Sequence, residues 1–305
     1  MRLAVTATQW AAAMLLIPGM KRVATRIGSL CIAVLLAGCQ GQVSIDLTTE
    51  KPADPAVRQV VAGLAGLQFE KSDGSTEALE FTASESVNLN GFQDGSLLTL
   101  FTNEPLPPGT YTGVRLLFDT NASGRYVTDS AARRYPLLLA AGDYAEFDYL
   151  VEKDNSSSRA VTLTLDLRQS LSLGSTTGVF TLTPVLRSVV AEDASVIEGT
   201  VTVTCATGTS LAQAGAVYLF RGLDVLPDDR DGAGVEPYAT GALTFSSLTG
   251  LYSYRLLDLP AGDYTLAATC DGTLENPAAN NALVFAGTVN VTLPRDTVAT
   301  ANLND

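Results

Sequence analysis

From residue 41 onward the chain alternates short apolar and polar runs rich in Val, Leu, Thr, Tyr and Phe, broken by Gly, Pro, Asp, Asn and Ser. Residues 161–167 (VTLTLDL) and 200–204 (TVTVT) repeat with period two, the spacing of a half-buried strand. No segment sustains a helical period. The pattern predicts an all-β fold of two consecutive β-sandwich domains, residues 43–190 and 195–305, divided at the polar stretch Ala191–Ala194. A turn motif recurs at Leu106–Tyr111, Leu139–Tyr144 and Leu259–Tyr264. In it Gly is expected to supply a positive φ, a preceding Pro to preset the bend, and Tyr to open a strand with its ring packed inward.

The N-terminal 38 residues have a different pattern. Lys21, Arg22 and Arg26 precede an apolar run from Ile27 to Ala37, too short to span a bilayer as a stable helix and of the right length for a secretory signal. The run ends in Leu36, Ala37, Gly38 and Cys39, which resembles the bacterial lipobox. That resemblance implies cleavage before Cys39 and acylation of its thiol, so that residues 1–38 are a leader and lipoprotein signal peptide and the mature chain is tethered to a membrane. Met20 is the expected true start, because the apolar stretch Ala11–Ile17 adds nothing the signal needs. Gln40 stands where inner-membrane lipoproteins usually carry Asp, which favours the outer membrane of a bacterial cell envelope.

Charge sharpens this picture. The leader holds four basic residues and no acidic one, leaving 15 basic against 32 acidic residues from Cys39 onward, a net of −17. Such a body repels phosphates, which argues against nucleic acid and against anionic membrane surfaces as partners. All three methionines and the single tryptophan fall in the first 20 residues, and the chain has no histidine.

Two families resemble the two halves. Residues 43–190 resemble the bacterial domain-of-unknown-function family 4382 through Val43–Thr48, Leu106–Thr112, Leu165–Ser170 and Leu182–Arg187. The family has no known activity, so this resemblance implies a fold class and a lipoprotein habitat. Residues 195–305 resemble the carboxypeptidase-regulatory-like domain, a transthyretin-like sandwich grouped with carbohydrate-binding-like folds. The matching stretches are Ile197–Val201, Ala214–Tyr218, Gly250–Tyr254 and Leu257–Leu266. It implies an accessory, non-catalytic module.

Candidate chemistry is sparse. Cys205 and Cys270 end runs whose alternate residues, Ile197, Val201 and Val203 on one and Tyr264, Leu266 and Ala268 on the other, share a face; in an oxidising compartment a disulfide is expected ahead of two free thiols. Asp228, Asp229, Asp231 and Glu236 gather around Gly232 as calcium ligands do, but Pro227 and Arg230 break the usual alternation, so a solvated acidic hairpin is the plainer reading and no cofactor is expected. Without histidine there is no Ser-His-Asp triad, Cys-His pair or His-ligated zinc.

Asp166, Arg168 and Arg187 are the polar strand residues that could serve a ligand, with an ion pair at the sandwich edge as the structural alternative. Tyr238 is the aromatic candidate for stacking on a sugar, whereas Tyr252 and Tyr254 share a strand face and read as core. The sequence therefore describes a membrane-anchored envelope lipoprotein with a non-catalytic structural or binding role toward an envelope protein or glycan. Glycan binding through the C-terminal domain is the alternative, and a carboxylate-based hydrolase a more distant third.

Overall fold

The computed structural model describes residues 41–120, 124–151, 158–174 and 178–305. The leader, Met20 and Cys39 lie outside the described residues. Everything described falls within one compact unit. No helix among the described residues is long and apolar enough to cross a membrane.

The first sandwich begins with β1 (Gly41–Glu50), β2 (Val57–Lys71), β3 (Thr76–Asn88), β4 (Leu98–Leu106), β5 (Gly109–Phe118) and β6 (Tyr126–Asp129). It continues through β7 (Arg134–Leu139), β8 (Ala145–Val151), β9 (Ser158–Asp166), the single turn α1 (Leu167–Ser170), β10 (Leu171–Leu173), β11 (Phe180–Leu182) and β12 (Leu186–Val190). One sheet has the order β12-β9-β1-β4; the other has the order β10-β11-β7-β6-β2-β5-β8, with β3 also on β2. Strand β1 lies parallel to β9, from Gln42 opposite Ser158 to Glu50 opposite Asp166. Its Val43, Ile45 and Leu47 are fully buried, facing a core that includes Leu67, Phe69, Tyr111, Phe147 and Leu163. Each such side chain contributes about 1.5–3 kcal/mol relative to exposure. Strand β8 shows the same physics, with Phe147, Tyr149 and Val151 inside and Glu146, Asp148 and Leu150 outside.

A 3₁₀ turn at Ala191–Asp193 leads into the second sandwich. Its strands are β13 (Ser195–Thr202), β14 (Ala216–Arg221), β15 (Ala239–Ala242), β16 (Thr244–Ser246) and β17 (Leu251–Leu259), then β18 (Gly262–Thr269), β19 (Phe285–Leu293), β20 (Val298–Thr300) and β21 (Leu303–Asn304); α2 (Leu211–Ala214) is a single turn. The sheets run β16-β17-β13-β20, with β21 also on β13, and β15-β14-β18-β19. Ile197, Val201, Leu219, Tyr254, Leu256, Tyr264 and Leu266 fill a separate core. Gly199 is required by close approach, since a Cβ there would collide with the Ala301 carbonyl oxygen, which accepts the Tyr254 hydroxyl at 2.6 Å. Cys205 and Cys270 are joined in a disulfide at the end of this core, with their Cα atoms 5.7 Å apart.

The tyrosine of the turn motif packs as expected in two of its three copies. Tyr111 and Tyr264 are buried, and each hydroxyl donates to the carbonyl of the proline four residues earlier, Pro107 at 2.7 Å and Pro260 at 2.8 Å. Tyr144 departs from the expectation: its copy has Ala140 in place of that proline, the ring is only half-buried beneath the Arg115 guanidinium at 4.5 Å, and its hydroxyl donates to Gln68. Of the three motif glycines only Gly109 has a positive φ, against the expectation for Gly142 and Gly262; Gly142 is there because a Cβ would strike the Pro184 carbonyl oxygen.

Candidate functional site

Strand β9 alternates in sequence, yet its last six residues are buried on both faces. Two residues next to its end show why. Asp166 closes the strand and caps α1, its carboxylate accepting from the Gln169 backbone N–H at 3.2 Å and from Gln169 Nε2 at 2.9 Å. The same carboxylate accepts from the Thr240 N–H and hydroxyl of β15, both at 2.9 Å or less. Arg168, two residues on, donates to the Gly272 carbonyl of the second sandwich.

Arg187, at the start of β12 and 3% exposed, donates from Nη2 to Glu50 Oε1 at 2.7 Å and to the Leu257 carbonyl at 3.0 Å. Arg221 of β14 reaches back to Glu146 at 2.6 Å. These contacts build a polar junction between the two sandwiches. They also correct the expected edge ion pair: Arg187 pairs with Glu50, while Asp166 spends its oxygens on a helix cap and on Thr240, because the end of β9 is covered by β15 rather than open to solvent. Buried carboxylates and guanidiniums persist where charge-assisted hydrogen bonds hold them; both Asp166 oxygens find donors here, whereas Arg168 Nε and Arg187 Nε and Nη1 are buried without a hydrogen-bond partner.

Glu50 is the titratable group that sequence reasoning missed here. Burial, opposed by Arg187, pushes its carboxyl up to about 7, and the nearby Asp166 and Asp258 add to the rise. Burial works against the Arg187 charge in turn, but Glu50 beside it holds the guanidinium above its ordinary value. Glu50 opens on a cleft of about 500 Å³ lined by both sandwiches. Each acid there is held by a cation: Glu50 by Arg187, Asp94 by Lys51 at 3.2 Å and Glu198 by Arg255 at 3.3 Å.

The remaining candidates are dispersed. Tyr238 has the Arg221 guanidinium over its ring at 4.1 Å and Tyr264 against it at 6.1 Å, so its faces are occupied by protein. Tyr254 is core as expected, and Tyr252 is half-buried against Phe245. In the acidic segment each carboxylate turns to a protein donor. Asp229 accepts from the Asn281 backbone and side chain, Asp231 from Ala233 and Asn280, Glu236 from the Gly232 N–H while also lying 3.3 Å from Arg230 as an ion pair, and Asp228 from the Asp229 N–H. Among the described residues no group of three His, Cys, Asp or Glu is placed to hold a metal. Glu275, unmarked by any pattern in the sequence, is buried, accepts the Tyr218 hydroxyl at 2.8 Å and is pushed up to about 7 by burial, with the Asp229 charge adding to the rise.

Residues 40–184 match the model of the family described as a domain of unknown function (DUF4382), the family that the first half resembles on its own motifs. No curated protein matches the chain. Among solved structures, it is similar to the Bacillus anthracis TIE protein at 10% identity and a TM-score of 0.20, covering 86% of this chain and 34% of that one. It is similar to GBS52, the minor pilin of Streptococcus agalactiae, at 11% identity and a TM-score of 0.20, with coverage of 86% and 94%. A third is the family CBM26 domain CBMbc from Eubacterium rectale Amy13K, in complex with maltoheptaose, at 10% identity, a TM-score of 0.20 and coverage of 86% and 93%. The chain thus spans about a third of the length of the first of these, and at such TM-scores none of the three assigns a function.

Proposed function

We propose that this chain, whose first sandwich matches a family of unknown function, is a lipid-tethered protein of the bacterial cell envelope with a structural or binding role and no catalysis of its own. The observation that carries the reading is the junction: the charged side chains that looked available for chemistry, Asp166, Arg168 and Arg187, each hold the second sandwich by a hydrogen bond. What remains to meet a partner, an envelope protein or a glycan, is the outer surface and its ion-paired clefts.

The tether is argued from the lipobox ending at Cys39, and the outer membrane from Gln40. Acyl chains contribute about 0.8 kcal/mol per buried CH₂, so the two or more chains of a lipidated cysteine hold such a protein stably on a bilayer. Metabolic labelling with a palmitate analogue tests this directly. The wild type should be labelled and Cys39→Ala should not; equal labelling of both would overturn the anchor.

A further inference from the structure

We infer that the Gly41 end of the first sandwich lies against the lipid surface, and that the clefts shared by the two sandwiches at the Glu50 end stand about one strand length away from it. The inference rests on the lipid-anchor reading above. Cys39 and Gly41 are two peptide links apart, and a fully extended chain covers at most about 3.6 Å per residue, so the first residue of β1 can stand only about 7 Å from the acylated cysteine. The sandwich therefore has no tether on which to turn away.

The strand register says what shares that end. Gly41 pairs with Leu106, which places the Leu106–Gly109 turn beside it, and Gly109 pairs with Val151 at the end of β8. Lys71 pairs with Tyr111, and the Ser72 N–H donates to the Thr110 carbonyl, so the β2–β3 turn belongs to the same end. From there β1 runs ten residues to Glu50, a rise of about 30 Å at about 3.3 Å per residue.

Glu50 is one of the points where the second sandwich is fastened. It pairs with Arg187, which holds the Leu257 carbonyl, and Asp166, opposite Glu50 in register, holds Thr240. The 500 Å³ cleft at Glu50 takes Lys51 and Asp94 from the first sandwich and Glu198 and Arg255 from the second. A neighbouring cleft of about 320 Å³ takes Asp54 and Arg58 from the first and Ala212 and Gln213 from the second. Both are consequently offered to partners in solution rather than to lipid.

The test uses the full lipidated chain, extracted from membranes and reconstituted into phosphatidylethanolamine–phosphatidylglycerol vesicles carrying a headgroup nitroxide. With Cys39 acylated and Cys205 paired to Cys270, a single added cysteine takes the dye. Ser72→Cys marks the β2–β3 turn and Ala212→Cys the rim of the distal cleft; both positions are exposed. The dye at position 72 should lose most of its emission to the nitroxide and the dye at 212 none, and a Gly-Ser linker inserted between Gln40 and Gly41 should restore emission at 72. Equal quenching, or stronger quenching at 212, in protein that floats with the vesicles would overturn the orientation while leaving the anchor standing. Protein that does not float would remove the anchor and the orientation with it.

Discussion

Asp166→Ala is the most direct probe of the junction. The carboxylate is 2% exposed and accepts from the Gln169 N–H, Gln169 Nε2 and both donors of Thr240, a residue with no exposure at all. Alanine removes every acceptor and leaves these buried donors without a protein partner. A hydrogen bond to a charged group contributes about 1.5–3 kcal/mol, and breaking a buried charged network typically costs about 3–5 kcal/mol, so a loss of about 4 kcal/mol is expected. Against a total stability of roughly 5–15 kcal/mol, that is a large fraction. Urea unfolding of the chain from Cys39 onward, followed by far-ultraviolet circular dichroism and by tyrosine emission, measures it. Asp166→Asn keeps one acceptor oxygen and should lose less. A double-mutant cycle with Thr240→Val isolates the contact across the junction, with an expected coupling of about 1.5 kcal/mol or more. A loss under about 1 kcal/mol for Asp166→Ala, or a coupling indistinguishable from zero, would refute the view that this residue joins the sandwiches.

Two further outcomes are expected. The disulfide spans 65 residues of sequence, so by the loop-entropy argument Cys205→Ser and Cys270→Ser should each lose about 4 kcal/mol in chemical denaturation, and a thiol count on denatured, unreduced protein should find neither cysteine free. Glu275, carried by burial from an ordinary 4.5 to about 7, favours the fold fully below pH 4.5 and loses that contribution as pH rises through about 7. Stability measured by urea unfolding at pH 5 and pH 8 should therefore fall toward the higher pH, with Glu275→Gln removing on the order of 3 kcal/mol of that fall and Glu50 supplying a remainder of the same sign. An unchanged difference between the two pH values in the variant would contradict the assignment.

Local pattern alone determined a good deal of this protein. Period-two alternation marks β1 and β8 strand by strand, because a strand with one wet face must place every second side chain in the core. The same logic put Cys205 and Cys270 on facing positions of one core, where they are joined. The proline-glycine turns announced Tyr111 and Tyr264, whose hydroxyls need a carbonyl only four residues back. Tertiary structure decided the rest. Nothing within β9 says that Thr162, Thr164 and Asp166 lose their wet face, since the strand that meets Asp166, β15, begins some 70 residues later. Glu50 and Glu275 look like surface acids in sequence; Glu50 becomes mostly covered and Glu275 buried only when distant residues, Arg187 and Tyr218, fold against them. Periodicity reports which side of a strand is apolar; whether its polar side meets water or another domain is set by contacts between residues far apart in the chain, and those exist only once both sandwiches have formed.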